Sequence, residues 1–156
     1  MFDLLRFKPQ ALPLPEPAKF GFERFYFFDD VKNKLAEVDN LEAAAQLKNK
    51  KILVLLRDYA FDEGALKIIA EKKNVCFLID ISRLIRARGV SRAIALSKLR
   101  NFLRLCVKFG AFYSFASFAE NENEIRTPDE IAHIASLLGL NRGQAEFAMK
   151  MLGQLL

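Results

Sequence analysis

Two apolar runs decide the fold class of this chain: KILVLLR at residues 51–57 and VCFLIDI at residues 75–81. Each run is short and bounded by charged or polar residues, which is typical of a strand covered on both faces of a parallel sheet. Between the runs, Asp62 is placed to cap a segment whose apolar residues recur at helical spacing. The sequence therefore predicts a strand, a helix and a second strand in succession.

Two further strands are predicted outside this unit. Residues 22–28 carry aromatic residues at alternate positions, and residues 111–118 form another short apolar run. Helical patterns fill the connections between the four strands. Because closed parallel barrels have about eight strands, we expect an α/β fold with either an open parallel sheet or a reduced, barrel-like one.

Cap residues predict where the helices begin and end. Asn40 and Ser91 are each placed to cap a helix, and Thr127 and Asn141 open capping boxes with Glu or Gln three residues later. Gly110 is predicted to end the helix that Ser91 begins. Residues 30–48 are predicted to be helical, with an interruption near Asn40.

The beginning of the chain is rich in proline, with four of the five prolines in the first 17 residues. That spacing prevents a helix and favours an extended segment. We therefore expect an extended arm over residues 1–18, either packed on the body or disordered, and a single α/β domain over residues 19–156.

The composition is that of a packed globular protein, since 52% of the 156 residues are hydrophobic and 28% are charged. No apolar run approaches the ~20 residues of a membrane span, and the first residues lack the features of a signal peptide. We expect a cytoplasmic protein with no membrane partner. Cys76 and Cys106 fall in apolar surroundings without metal-ligand spacing, so we expect buried free thiols.

The charge of the chain is concentrated in one block. Residues 81–119 hold eight of the 24 Lys and Arg but none of the 19 Asp and Glu, in a chain of net charge +5. Within the block Arg100, Arg104 and Lys108 recur every four residues, and these three cations are called the basic stripe below. The pattern favours a polyanion such as nucleic acid, although a solvated helix face explains the charge equally well.

The sequence offers little catalytic chemistry. The single histidine, His133, lies opposite the apolar face of its helix and is expected to face solvent. Walker, dinucleotide-binding and nucleophile-elbow motifs are absent from the sequence. We predict no catalytic residue, no metal and no cofactor. Asp80 ends a strongly apolar run, where an unpaired buried acid costs free energy. We therefore predict that Asp80 and Arg92 form a structural pair.

The last helix is apolar on two sides. One side carries Ala145, Ala148 and Met149, whereas Phe147 and Met151 lie on the opposite side. Packing against the N-terminal arm and a protein interface both explain this second apolar side. An interface at Phe147 and Met151 would serve either a homodimer or a smaller partner protein.

Three motifs follow one another in order between residues 76 and 139. Their residues are Leu84, Ile85, Arg86, Arg88, Gly89, Arg92 and Ala93, then Ala116, Ser117 and Ala119, then Arg126, Thr127 and Pro128. In these motifs the segment resembles archaeal ribonuclease P protein component 3, the relative of the eukaryotic p-thirty subunit. Phe118 stands where that family usually has glycine, Asp129 stands where it usually has a cation, and the chain is shorter than typical members.

The resemblance implies a barrel-like α/β fold and an accessory role in an archaeal ribonucleoprotein. Ribonuclease P RNA would cleave precursor tRNA at its 5′ end, while this protein binds that RNA together with a small ribonuclease P protein subunit. Contact with precursor tRNA would be indirect. The open alternatives are a protein-interaction module without RNA, an enzyme built on the same barrel, and an inactive relative of metal-dependent phosphoesterases. The RNA-binding residues predicted are Arg86, Arg88, Arg100, Arg104, Lys108 and Arg126.

Overall fold

The computed structural model describes residues 1–7, 14–60 and 62–156, and every strand pair in this part of the chain is parallel. The strands are β1 (Phe2–Leu5), β2 (Arg24–Phe27), β3 (Leu35–Val38), β4 (Ile52–Leu56), β5 (Val75–Asp80) and β6 (Phe112–Ala116). The helices are α1 (Phe28–Val31), α2 (Leu41–Ala45), α3 (Glu63–Lys72), α4 (Ile81–Arg86), α5 (Gly89–Phe109), α6 (Pro128–Leu137) and α7 (Arg142–Leu155). Three short 3-10 segments lie at Pro17–Phe20, Lys32–Lys34 and Glu122–Glu124.

The strands form two sheets that meet at a seam. One sheet has the order β3-β4-β5-β6, and the other pairs β1 with β2. At the seam, the Phe118 N–H donates to the Leu4 carbonyl at 3.0 Å, and the Arg6 N–H donates to the Ala119 carbonyl at 2.9 Å. The spatial order is therefore β2-β1-β6-β5-β4-β3, which is the reduced, barrel-like arrangement of parallel strands that the sequence predicted.

The four predicted strands are confirmed as β2, β4, β5 and β6, whereas β1 and β3 were not predicted. β1 lies within the segment expected to be an arm, but its four residues pair with β2 in parallel. β3 lies within the region expected to be helical, and it is a four-residue edge strand beside β4. Residues 8–13 of the predicted arm lie outside the described residues, and the division into arm and domain stays a prediction.

Side chains alternate between an inner and an outer apolar layer along the strands. Leu53 and Leu55 of β4 belong to the inner cluster, whereas Val54 and Leu56 of the same strand pack in the outer cluster beneath the helices. The continuous apolar run at residues 51–57 follows from this arrangement, because both faces of the strand are covered. Both cysteines are free and buried, as predicted.

The end of α7 closes the barrel at the edge where the strands begin. Leu152 and Leu155 pack with the inner cluster. Lys34, just before β3, donates to the Leu156 carbonyl at 2.9 Å, and Lys51, just before β4, donates to the Gln154 carbonyl at 3.4 Å. The opposite edge, where the strands end, is therefore the open end of the barrel.

The predicted helix caps are confirmed with one exception. The side chains of Asn40, Asp62, Thr127 and Asn141 each accept a hydrogen bond from a backbone N–H of the first turn. Ser91 was expected to cap α5, but the helix already begins at Gly89, and the Ser91 hydroxyl donates to the Arg88 carbonyl instead. A glycine with φ of 52° begins the helix three residues earlier than a cap at Ser91 would.

Candidate nucleic-acid interface

The basic stripe lies on the exposed side of α5, as its spacing predicted. Leu99, Phe102 and Leu103 are buried on the other side of the helix, and the stripe cations are exposed. A hydrophobic face toward the sheet thus fixes the direction in which the cations point. The helix has 21 residues, so it is about 32 Å long at 1.5 Å per residue.

Two of the three stripe cations have partners within the chain. Arg100 donates to the Leu137 carbonyl at 2.6 Å, and Lys108 pairs with Glu63 at the beginning of α3 at 2.7 Å. Arg104 forms no ion pair with any described residue. Because a carbonyl carries no net charge, only Lys108 is compensated by a carboxylate. The stripe therefore keeps most of its positive charge for a partner.

Arg86 and Arg126 lie at a second location, around the loop that precedes α6. Arg86 pairs with Glu120 and Glu124 at 2.8 Å each. A hydrogen bond from the Glu120 N–H, helped by Arg86, lowers the pKa of Glu124. Arg126 is half-buried and donates to the carbonyls of Asn123 and Ile125. The structure thus separates the predicted RNA-binding residues into two groups, and two carboxylates neutralise Arg86.

The predicted Asp80–Arg92 pair is wrong, because each residue has other partners. Asp80 accepts hydrogen bonds from the Ser82 hydroxyl at 2.6 Å and the Arg83 N–H at 3.2 Å, and it pairs with Arg6 at 3.4 Å. Burial nevertheless raises the pKa of Asp80, against the opposing effect of these partners.

Arg92 stabilises the loop before α5 instead. Its guanidinium donates to the Ala87 carbonyl at 2.6 Å and to the Ile85 carbonyl at 2.8 Å. The prediction failed because Arg6 follows β1, a strand that was not predicted. Arg6 reaches Asp80 across the open end of the barrel, 74 positions away in the sequence.

Phe118 is held in an unusual backbone conformation beside this pair. Its φ is 48°, a left-handed value that L-residues other than Asn and Asp rarely adopt. The side chain is fully buried, and the Arg6 guanidinium lies 5.2 Å from the centre of its ring. Phe118 is the residue that stands where the component 3 family usually has glycine. In this chain the phenylalanine adopts the positive φ itself, and its buried ring lies against the Arg6 guanidinium.

The two residues expected at a partner interface are separated by the packing of α7. Phe147 is 48% exposed, whereas Met151 is only 4% exposed. The second apolar side of the helix is therefore not a continuous surface patch, and the expectation for Met151 is wrong. Phe147 is the member of the pair that a partner can reach.

The described residues contain no group of three or more His, Cys, Asp or Glu side chains able to hold a metal ion. His133 is exposed, and its Nδ1 lies 2.7 Å from the Asp129 carbonyl. No helix in this part of the chain is both long enough and apolar enough to cross a membrane.

The fold and its charged helix define a class: a barrel-like α/β protein of parallel strands with an acid-free helix on its surface. No protein-family model matches the chain. A chain in the cryo-EM structure of archaeal ribonuclease P with mature tRNA has the same fold, with a TM-score of 0.72 at 15% identity over 99% of this chain and 89% of that chain.

Two curated relatives are described as ribonuclease P protein component 3. The relative from Methanococcoides burtonii is 28% identical over 109 residues, which cover 67% of this chain and 45% of the relative. The relative from Archaeoglobus fulgidus is 25% identical over 167 residues, which cover 89% of this chain and 81% of the relative. The first match thus spans less than half of that relative's length. Both relatives support the resemblance that residues 76–139 carry.

Proposed function

We propose that this protein is a subunit of ribonuclease P that binds the catalytic RNA and supports 5′ maturation of precursor tRNA. The observation that carries the proposal is an acid-free, exposed helix on a fold shared with a chain of archaeal ribonuclease P. The two curated relatives described as component 3 support it further. The RNA performs the cleavage in this proposal, and the protein orders the RNA.

The proposed RNA contact is the basic stripe together with Arg88. Arg88 is exposed, immediately precedes α5 and forms no ion pair with a described residue. Arginine and lysine side chains that neutralise phosphates release counterions, so the affinity falls with salt. Arg86 and Arg126 belong to a secondary contact, because RNA must compete there with Glu120 and Glu124 for Arg86.

The salt dependence of RNA binding tests this contact. We would replace all three cations of the basic stripe with Gln and measure filter binding to the ribonuclease P RNA of the source organism at several salt concentrations. Each phosphate contact contributes about 0.7 to 0.9 to the slope of log K against log salt. The slope is therefore expected to become shallower by about 2 to 3 in the triple variant.

A matched control separates a specific surface from general charge. The control variant replaces Lys32, Lys50 and Lys72 with Gln, which removes the same charge from exposed positions outside α5. It is expected to change the slope little. If both triple variants change the slope equally, or neither does, the stripe is not the RNA contact and the proposed function fails.

Partner proteins remain a proposal of the same kind. The small ribonuclease P protein subunit or a second copy of the chain is proposed to cover Phe147. Phe147→Glu is expected to weaken that association without unfolding the chain, because the ring is half exposed. Light scattering of the protein alone and with the small subunit measures this association. A protein that stays monomeric and does not bind the small subunit contradicts the proposed interface.

A cytoplasmic location and kinship to the eukaryotic p-thirty subunit stay predictions.

A further inference from the structure

The N-terminal half of α5 lacks the packing that the C-terminal half has. No residue from Gly89 to Lys98 is buried, and the first buried residue of the helix is Leu99. Val90 is 76% exposed and Ile94 is 52% exposed, one turn apart on the same side of the helix. Neighbouring aliphatic side chains that face water on a helix with one otherwise buried face indicate a surface that a partner covers.

A groove lies beside these two side chains, between α4, α5 and the turn that follows β4. Its volume is about 400 Å³. Three cations, Arg57, Arg83 and Lys98, line it together with two carboxylates, Asp58 and Asp80. The Tyr59 ring is held against Phe102, with 5.0 Å between the ring centres, so this side of the groove is fixed by packing. The apolar residues that line the groove are Tyr59, Leu84, Ala87, Ile94, Ala95 and Leu99.

The charge around the groove selects the partner. Arg88 forms no ion pair with a described residue, and the Arg92 guanidinium donates only to uncharged carbonyls. Inside the groove the charges are paired, since Lys98 pairs with Asp58 at 2.8 Å and Arg57 pairs with Asp39 at 3.3 Å. The uncompensated positive charge is therefore that of Arg88 and Arg92, beside Val90 and Ile94 at the beginning of α5, and it complements an acidic surface with an apolar ridge.

Two other occupants fit this surface less well. A second copy docked through the same patch would bring Arg88 and Arg92 against the same arginines, which costs free energy. RNA would satisfy the arginines, but Val90 and Ile94 have no planar faces on which bases stack. A protein partner covers both the aliphatic and the charged groups, because protein interfaces combine an apolar centre with a polar rim.

We propose that the N-terminal half of α5 and its groove dock a protein that presents a bulky apolar side chain flanked by carboxylates. This docking surface consists of Arg88, Val90, Arg92, Ile94 and the groove lining. The basic stripe lies on the other half of the same helix, and Arg88 is the residue that this surface shares with the proposed RNA contact. Because the stripe itself lies outside the docking surface, the inference stands whether or not the stripe binds RNA.

Photo-crosslinking identifies the partner in its native setting. The full chain with a benzophenone-bearing residue in place of Val90 is irradiated in an extract of the source organism, and adducts are treated with nuclease or with protease. A nuclease-resistant adduct with one defined second protein, linked through a segment that contains carboxylates and apolar residues, is expected. An RNA adduct, an adduct with a second copy of this chain, or no adduct overturns the proposal.

Binding of the purified partner then tests the chemistry. Ile94→Glu is expected to raise the dissociation constant about tenfold or more, since it places a carboxylate where an apolar side chain docks. Arg88→Glu combined with Arg92→Glu is expected to do the same and to reduce the salt dependence of binding. Ile68→Glu is the matched control, because Ile68 is 43% exposed on α3, outside the surface.

The affinity for the protein partner is measured independently of the affinity for RNA. Replacing the basic stripe with Gln is expected to leave the affinity for the protein partner unchanged, even where it weakens RNA binding. Equal affinity of the partner for the wild type and for Ile94→Glu, with circular dichroism showing both folded, removes the docking surface. A variant that loses RNA binding but still binds the protein partner, or the reverse, distinguishes the two proposals.

Discussion

Asp3 is a buried carboxyl group whose titration is expected to set part of the stability of the fold. It lies in β1, fully buried at the seam between the two sheets. Its oxygens accept hydrogen bonds from the Ser117 N–H at 2.7 Å, the Ser117 hydroxyl at 2.6 Å and the Leu4 N–H at 2.8 Å. Burial outweighs these hydrogen bonds and raises the pKa of Asp3 from 3.8 to about 6.

The sign of the pH effect follows from linkage. Because the pKa is higher in the folded state, the folded protein binds more protons than the unfolded chain between pH 3.8 and about 6. The free energy of unfolding therefore falls as the pH rises through that window. A shift of about 2 pKa units corresponds to about 3 kcal/mol. This contribution is fully present below pH 3.8 and is lost above pH 6.

Asp3→Asn removes the titration and keeps the shape. The amide oxygen can accept from both N–H groups, and the amide nitrogen can donate to the Ser117 hydroxyl oxygen. The difference in unfolding free energy between Asp3→Asn and the wild type is therefore expected to increase by about 2.4 kcal/mol in favour of the variant from pH 4 to pH 7. Most of that increase is expected below pH 6.

Urea unfolding at pH 4, 5, 6 and 7 measures this difference. Subtracting the wild type from the variant cancels the titration of the other carboxylates. Asp29→Asn, at an exposed position in α1, is the control and is expected to show no increase of this size. A difference that stays constant with pH, or that changes in the opposite direction, refutes the reasoning.

The remaining predictions concern single contacts near the open and closed ends of the barrel. In double-mutant cycles followed by urea unfolding, Asp80→Asn is expected to couple with Arg6→Ala by about 1 kcal/mol and not with Arg92→Ala; the reverse result would restore the pair predicted from the sequence. Phe118→Gly relieves a backbone strain of about 1 kcal/mol but deletes a buried ring worth about 3 to 5 kcal/mol. Chemical denaturation is therefore expected to show a free energy of unfolding lower by about 3 kcal/mol, and a higher value contradicts this. Gly153→Ala places a methyl group in the ring of a β1 phenylalanine and is expected to cost about 1 to 3 kcal/mol in calorimetry, whereas an unchanged Tm would show that the ring moves aside.

Local patterns in the sequence were enough to predict the elements with strong physical requirements. β4 and β5 were found because a strand covered on both faces needs a continuous apolar run. The helix starts at Asp62, Thr127 and Asn141 were found because capping uses residues three positions apart. The basic stripe was found because a four-residue repeat defines one side of a helix.

Only the tertiary structure decided the features that depend on distant neighbours. β1 and β3 lie in segments whose local pattern indicated an arm and a helix, and each pairs in parallel with a neighbouring strand, β2 or β4. The choice of Arg6 over Arg92 as the partner of Asp80 needed β1 in place. Likewise, whether Met151 and Ile94 are covered or exposed depends on which elements pack beside them, and helical periodicity determines only a direction.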